Sequence, residues 1–216
     1  ADRFVHLNNE GDILKEWNLF DYIDLTEYNP LYLDRLSGSY PEEMDMDWTH
    51  SNSIFFDDEN IFLSIRNLSR IMKLSYATDD LIWHLGNTQF MNEIYFEDNL
   101  EFSQQHSVKV LDNNNMLFFD NHAHLEPEQS RCIEFSYDES DYSIEHLWEY
   151  VLPVSMFTGS RGECDRLENG NTLITAGRSG NMLEINNNDE IIWHLEAKHN
   201  NNPVTMYRGE RVSHLY

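Results

Sequence analysis

Two imidazoles mark the first place where this sequence can do chemistry. The stretch "DWTHSNSIFFDDENIFLSIR" (residues 47–66) sets His50 and Asn52 ahead of an acidic turn and closes on Arg66. The stretch "QQHSVKVLDNNNMLFFDN" (104–121) is built alike, with Gln105 and His106 at its head and Asn121 at its end. A third, "SRGECDRLENGNTLITAGR" (160–178), puts Arg161 at the head. Neutral imidazole is a nucleophile and a general acid–base near neutral pH. Arginine offers a planar, permanently charged fork suited to an anion's oxygens. Histidine, arginine and amide side chains at matched positions therefore point to a site that holds a small anion.

The elements that position them come from a repeat. Asn60, Asn115 and Asn171 recur about 55 residues apart, each in a polar cluster ("DDEN", "DNNN", "ENGN") of the type that closes a hairpin. The flanks are rich in Ile, Val, Leu and Phe and suit strands. Each unit ends in a strand with a tryptophan (Trp83, Trp148, Trp193), and Trp17 marks an earlier one. Strand, turn, strand, break, strand, turn, strand predicts an all-β chain: a β-propeller of four-stranded antiparallel blades. The blades are expected at about 47–86, 102–150 and 158–198. Residues 1–19 read as a partial blade, 20–46 as an insertion, and 203–216 as the start of another blade. Either the end pieces join into one composite blade, or the chain is a portion of a larger propeller. The first strand of each blade lines a central channel, so the heads holding His50, Gln105 and Arg161 face one another across it. Arg66 and Asn121 fall at the same mouth.

Composition limits the partners. The 216 residues carry 39 acidic against 14 basic side chains, a net charge of −25. Such a surface repels phosphate backbones and anionic lipid, so neither nucleic acid nor membrane is an expected partner. No apolar run is long enough to span a bilayer as a helix. The chain begins at Ala1 with no signal peptide in view, so it reads as a mature product or as a piece of a longer one. Cys132 and Cys164 have no metal-ligand spacing, and whether they bond is left open. His84, His146 and His194 sit beside the repeat tryptophans and read as surface or packing residues.

Several motifs, in order, resemble the arylsulfotransferase family: "DWTHSNSI" with "IFLSIRNLSRIMKL" and "IWHLG", then "FSQQHSVKVLDNNNMLFFDN" with "SRCIEFSYDE" and "LWEY", then "RLENGNTLITAGRSGNMLEINNNDEIIWHL" and "VTMYRGERVSHLY". The resemblance implies a six-bladed propeller, located in the periplasm or outside the cell. It implies transfer of a sulfuryl group from a phenolic sulfate ester to a phenol, through a transiently sulfated histidine and without a nucleotide sulfate donor or other cofactor. Aryl sulfates and phenols would be the partners. By motif, His50, His106, Asn121 and Arg131 match its polar positions as catalytic candidates, with Thr205 of "VTMYR" beside them. Asn52, Arg66, Gln105, Arg161 and Thr205 are the substrate-binding candidates. The nucleophile stays open between His50 and His106, because "GSRGECD" in the third repeat holds Arg161 and no histidine.

Two rival readings remain. One is a non-catalytic propeller that binds a ligand or serves in assembly, motivated by that missing histidine and by the short chain. The other is a metal-assisted hydrolase using His122 and His124 of "DNHAHLE". A formylglycine sulfatase is disfavoured, since neither cysteine is followed by the Pro-and-Arg pattern such maturation needs.

Overall fold

The computed structural model describes residues 2–32, 47–96 and 100–212. The chain is all-β, with short 3₁₀ turns between strands. An N-terminal hairpin pairs β1 (Arg3–Leu7) with β2 (Ile13–Asn18). Three four-stranded antiparallel sheets follow, each a simple meander. The first holds β3 (Ser51–Phe56), β4 (Asn60–Ile65), β5 (Arg70–Ser75) and β6 (Leu81–Gly86). The second holds β7 (His106–Val110), β8 (Met116–Asp120), β9 (Arg131–Asp138) and β10 (Ser143–Val151). The third holds β11 (Glu163–Arg166), β12 (Thr172–Ala176), β13 (Asn181–Ile185) and β14 (Ile191–Glu196). Two-residue strands β15 (Lys198–His199) and β16 (Asn202–Pro203) make a final turn.

The turn clusters work through side-chain acceptors. Asp57 Oδ1 accepts from the backbone N–H of Glu59 and Asn60, and Asn113 and Asn169 do the same for Asn115 and Asn171. These are local Asx turns, which is why they could be read from sequence. Among the described residues, no strand pairing joins the β1–β2 hairpin to the residues after β14. Much of the 20–46 insertion (33–46) lies outside the described residues, as do 213–216 of the terminal segment. Of its described part, Ile23 packs in the core beneath the first sheet, and Tyr32 is buried.

The cores sit between successive sheets. Trp17, Ile61, Leu63 and Met72 fill the space between the hairpin and the first sheet. Phe62, Ile71, Trp83, Phe118 and Phe135 fill the next. Leu117, Phe119, Ile174 and Leu183 fill the third. The first and second sheets thus share one apolar face with their predecessor and one with their successor, which explains a strand buried throughout such as β8.

Cys132 and Cys164 are joined in a disulfide between β9 and β11, with Cα atoms 5.9 Å apart. The bond ties the second sheet to the third across their common core. It closes a loop of sequence separation 32 and constrains the unfolded chain. Reduction, or replacement of both cysteines by serine, is expected to cost about 2–4 kcal/mol. Denaturant titration with and without reductant checks this; coincident curves would contradict it.

Candidate functional site

The strand heads are made of backbone that most side chains avoid. His50 (φ 51°), Gln104 (58°) and Arg161 (66°) all adopt left-handed φ where each sheet begins. Such positions are held by the surroundings rather than by local preference. At the third head the following residue must be glycine: Gly162 has φ 121°, and a Cβ there would lie 2.6 Å from the Phe119 ring.

His106 is the buried centre of this end, only 3% exposed. Its Nδ1 donates to Asn121 Oδ1 (2.6 Å) and the Gln104 carbonyl (3.0 Å). Its Nε2 accepts the backbone N–H of Arg161 at 3.1 Å. With both nitrogens engaged, the ring is the neutral Nδ1–H tautomer. Asn121 is equally committed, its Nδ2 donating to the carbonyls of Thr158 (2.6 Å) and Arg161 (2.8 Å). The pair therefore welds the head of β7 and the end of β8 to the loop that enters the third sheet. Burial above all, with help from the charges of Arg66 and His50 and against the Asn121 and Gln104 hydrogen bonds, pushes His106 down to about 4.

His50 is the opposite case. Its side chain is 47% exposed, and its Nδ1 lies 2.5 Å from Asp47 Oδ2. Burial acts to raise the Asp47 carboxyl, but the His50 hydrogen bond and charge, with Asn67 and Arg66, hold it below the usual carboxylate range. An ionised carboxylate only accepts, so Nδ1 carries a proton, and in the neutral ring Nε2 is the nitrogen without one. Among the described residues that Nε2 has no partner. Asp47 was not singled out in the sequence. Its signal was its place three residues before His50, which becomes contact only through the left-handed φ of His50.

Gln105 is fully buried and donates from Nε2 to Ser64 Oγ and the Arg70 carbonyl. Asn52 Nδ2 donates to the Gln105 carbonyl at 2.7 Å. Both stitch the second sheet to the first. Arg131 lies at the start of β9 with its fork occupied by Asp120 (3.0 Å), Glu149 (3.0 Å) and the Glu101 carbonyl (2.6 Å). Its charge is thus already met by carboxylates. Thr205 is exposed in the segment after β16, where Met206 N–H donates to the Gly177 carbonyl. His122 turns to Asp120 (3.1 Å) and His124 is exposed. Among the described residues no three His, Cys, Asp or Glu side chains gather as a metal-holding group. Of the outer-strand histidines, His84 is buried and His146 and His194 are exposed.

The arginines show where an anion could be held. Among the described residues, every Lys and Arg is in an ion pair except Arg66, Arg161, Arg178 and Arg208. Each has a link, direct or through a neighbour, to the His106 network. Arg66 acts on the charge of His106 and of Asp47. Arg161 bonds His106 through its backbone. Arg178 N–H donates to Thr158 Oγ1, beside the Thr158 carbonyl that Asn121 holds. Arg208 lies over the Tyr207 ring, whose edge faces His106 at 6.3 Å between centroids. In a chain of charge −25, these are the described cations that no carboxylate pairs.

The family model described as "Arylsulfotransferase (ASST)" matches residues 1–212. No curated protein matches the chain. Among solved structures, the chain is similar to a streptogramin B lyase (14% identity, TM-score 0.45, 70% of this chain and 42% of that one). It is also similar to the WD40 repeats of RRP9 (12%, TM-score 0.43, 68% and 38%). A third is a protein of unknown function from Bacteroides caccae (10%, TM-score 0.42, 90% and 69%). The chain spans less than half the length of the first two.

The buried His106 generates a prediction. The unfolded chain takes up this proton near 6.5, whereas the folded ring resists it until about 4. The group leaves stability untouched above the unfolded value and lowers it as pH falls between the two, by roughly 3 kcal/mol in all. Denaturant midpoints should drop from about pH 7 to pH 5, and His106→Gln should flatten that slope while costing about 1–3 kcal/mol at neutral pH. An unchanged slope in the variant would contradict the assignment.

Proposed function

Because this chain belongs to the arylsulfotransferase family, we propose that its strand-head cluster moves a sulfuryl group from a phenolic sulfate ester to a phenol, with His50 as the group that carries it. The observation behind this reading is the bare Nε2 of His50, held by Asp47 at 2.5 Å, at the end of the molecule where the unpaired arginines gather. His106 fits the role less well, since its Nε2 already accepts the Arg161 N–H.

In the first step His50 Nε2 attacks sulfur, the N–S bond forms, and the aryl S–O bond breaks to release phenolate. The ring becomes cationic, and Asp47 offsets that charge through Nδ1–H while fixing the ring's orientation. In the second step a phenol oxygen attacks the same sulfur, the N–S bond breaks, and the phenol's proton leaves to solvent. The sulfuryl oxygens carry the negative charge throughout, and Arg66 and Arg161 are the donors for them. No redox change occurs. His106 and Asn121 are positioning residues in this scheme. Arg131, saturated by Asp120 and Glu149, acts on the sheet rather than on sulfate.

The three sheets are, in this reading, blades of a propeller, and enclosing its channel takes more blades than three. A place outside the cytoplasm is supported by the Cys132–Cys164 disulfide, since such bonds persist in oxidising compartments.

Mixing the protein with 4-methylumbelliferyl sulfate and no acceptor should give a transient mass gain of about 80 Da on His50. His50→Ala should abolish both adduct and fluorescence. Asp47→Asn should retain binding but slow turnover by about 100-fold or more. An adduct that persists in His50→Ala would overturn the assignment of the residue. Absence of any adduct or turnover in the intact protein would favour a ligand-binding role.

A further inference from the structure

Two arginines flank one short turn and meet opposite partners. Arg70, at the start of β5, is fully buried and takes the carboxylate of Glu27 at 2.7 Å. Arg66, just past the end of β4, takes an amide instead. Its guanidinium donates to Asn67 Oδ1 at 2.8 Å and lies over the Tyr32 ring, 6.0 Å from the centroid. Asn67 itself has no exposed surface. On its other side, Nδ2 donates to the Asp47 carbonyl at 2.5 Å. Arg66 and the residue that orients His50 are therefore held at the two ends of one amide.

That amide has a single orientation. A flip would set its NH₂ against the guanidinium and its oxygen against a carbonyl. The backbone fixes it as well. Asn67 N–H donates to the Thr49 carbonyl (3.1 Å), and Arg66 N–H donates to the His50 carbonyl (3.3 Å). The Asn67 carbonyl accepts from Asn29 Nδ2 (3.0 Å). An amide oxygen bonds a guanidinium without cancelling its charge. Among the described residues Arg66 thus has no counterion, while Asp47 keeps its carboxylate for His50 at 2.5 Å. Without the side chain between them, a cation and an anion so placed would close on each other. Such a pair would remove two functions at once. Arg66 would lose its pull on an anion, and His50 would lose its carboxylate.

We propose that Asn67 is a positioning residue that insulates Arg66 from Asp47, and so keeps the arginine's charge for an anion bound beside His50 Nε2. This rests on the reading of Arg66 as a donor to the sulfuryl oxygens, and extends it to a residue outside the reacting groups. Asn67 touches no substrate; it acts through Arg66 and Asp47.

Inorganic sulfate is the probe. It is titrated at constant ionic strength into ¹⁵N-histidine-labelled protein and followed at the His50 ring by proton–nitrogen NMR. The wild type should bind it at His50. Asn67→Ala should weaken binding by about 10-fold or more, because Arg66 turns to Asp47. Adding Asp47→Asn removes that competitor, and affinity should return to within about 3-fold of Asp47→Asn alone. A residue that served the fold only would not be rescued in this way. Asn67→Asp, of the same shape, should bind as poorly as Asn67→Ala. Asp47→Asn should not rescue it, since the new carboxylate pairs with Arg66 directly. No sulfate response at His50 in the wild type, wild-type affinity in either Asn67 variant, or a loss in Asn67→Ala that Asp47→Asn leaves in place would each overturn the proposal. Should Asn67→Ala lose the wild-type circular-dichroism spectrum, the affinity of Asn67→Asp decides alone. Turnover of 4-methylumbelliferyl sulfate by the wild type is a separate readout. Its absence beside the expected binding pattern would sink sulfuryl transfer and leave the role of Asn67 standing.

Discussion

The hydrogen bond from the Arg161 backbone to His106 Nε2, 3.1 Å long and out of water, is the contact on which the site's organisation depends. It fixes the tautomer of His106, so that Nδ1 must donate to Asn121 and Gln104. Asn121, oriented by that bond, holds the loop at Thr158 and Arg161. That loop sets the left-handed backbone from which the third sheet starts. A buried polar network is stabilising only when every member is satisfied, and here each atom of the His106 and Asn121 side chains that can bond does so. The knot joins the second and third meanders at a common polar end, and Gln105 and Asn52 join the first to the second.

Chemistry and scaffolding divide between the two strand-head histidines for a physical reason. Burial makes His106 a hydrogen-bonding post, because a ring with no free nitrogen and little water has nothing to offer a substrate. Exposure and a carboxylate partner leave His50 with one nitrogen fixed and one open. The surrounding charge follows the same logic. Carboxylates pair nine of the thirteen described lysines and arginines, so the four arginines without one stand out. The apolar cores between sheets and the disulfide between Cys132 and Cys164 supply the rigidity that keeps this end in register.

Features that depend on local chemistry were readable in the sequence. The Asx turns at Asn60, Asn115 and Asn171 close hairpins through acceptors two or three residues away, so composition announces them. The recurrence of tryptophan was visible, but the acceptors of Trp17, Trp83 and Trp148 lie some 40–60 residues onward in another sheet and no local pattern reveals them. Arg131 sits in a motif that suggests anion binding. Its neutralisation by Asp120 follows from the pairing of β8 with β9, which sets those two residues opposite each other. The contrast between His50 and His106 was also hidden, since matched positions in a repeat carry no information about exposure.

The division between an open His50 and a committed His106 is the centre of this account, and the ring nitrogens report it directly. A long-range proton–nitrogen correlation spectrum of the protein labelled with ¹⁵N-histidine reads the tautomer of each ring. The account predicts that both histidines are Nδ1–H tautomers at neutral pH, that His106 Nε2 shows the shift of a hydrogen-bonded acceptor, and that His106 stays neutral as pH falls toward 5. It also predicts that an aryl sulfate perturbs His50 Nε2 first. A His50 ring protonated on Nε2, or a His106 ring that takes up its proton near 6.5, would contradict it.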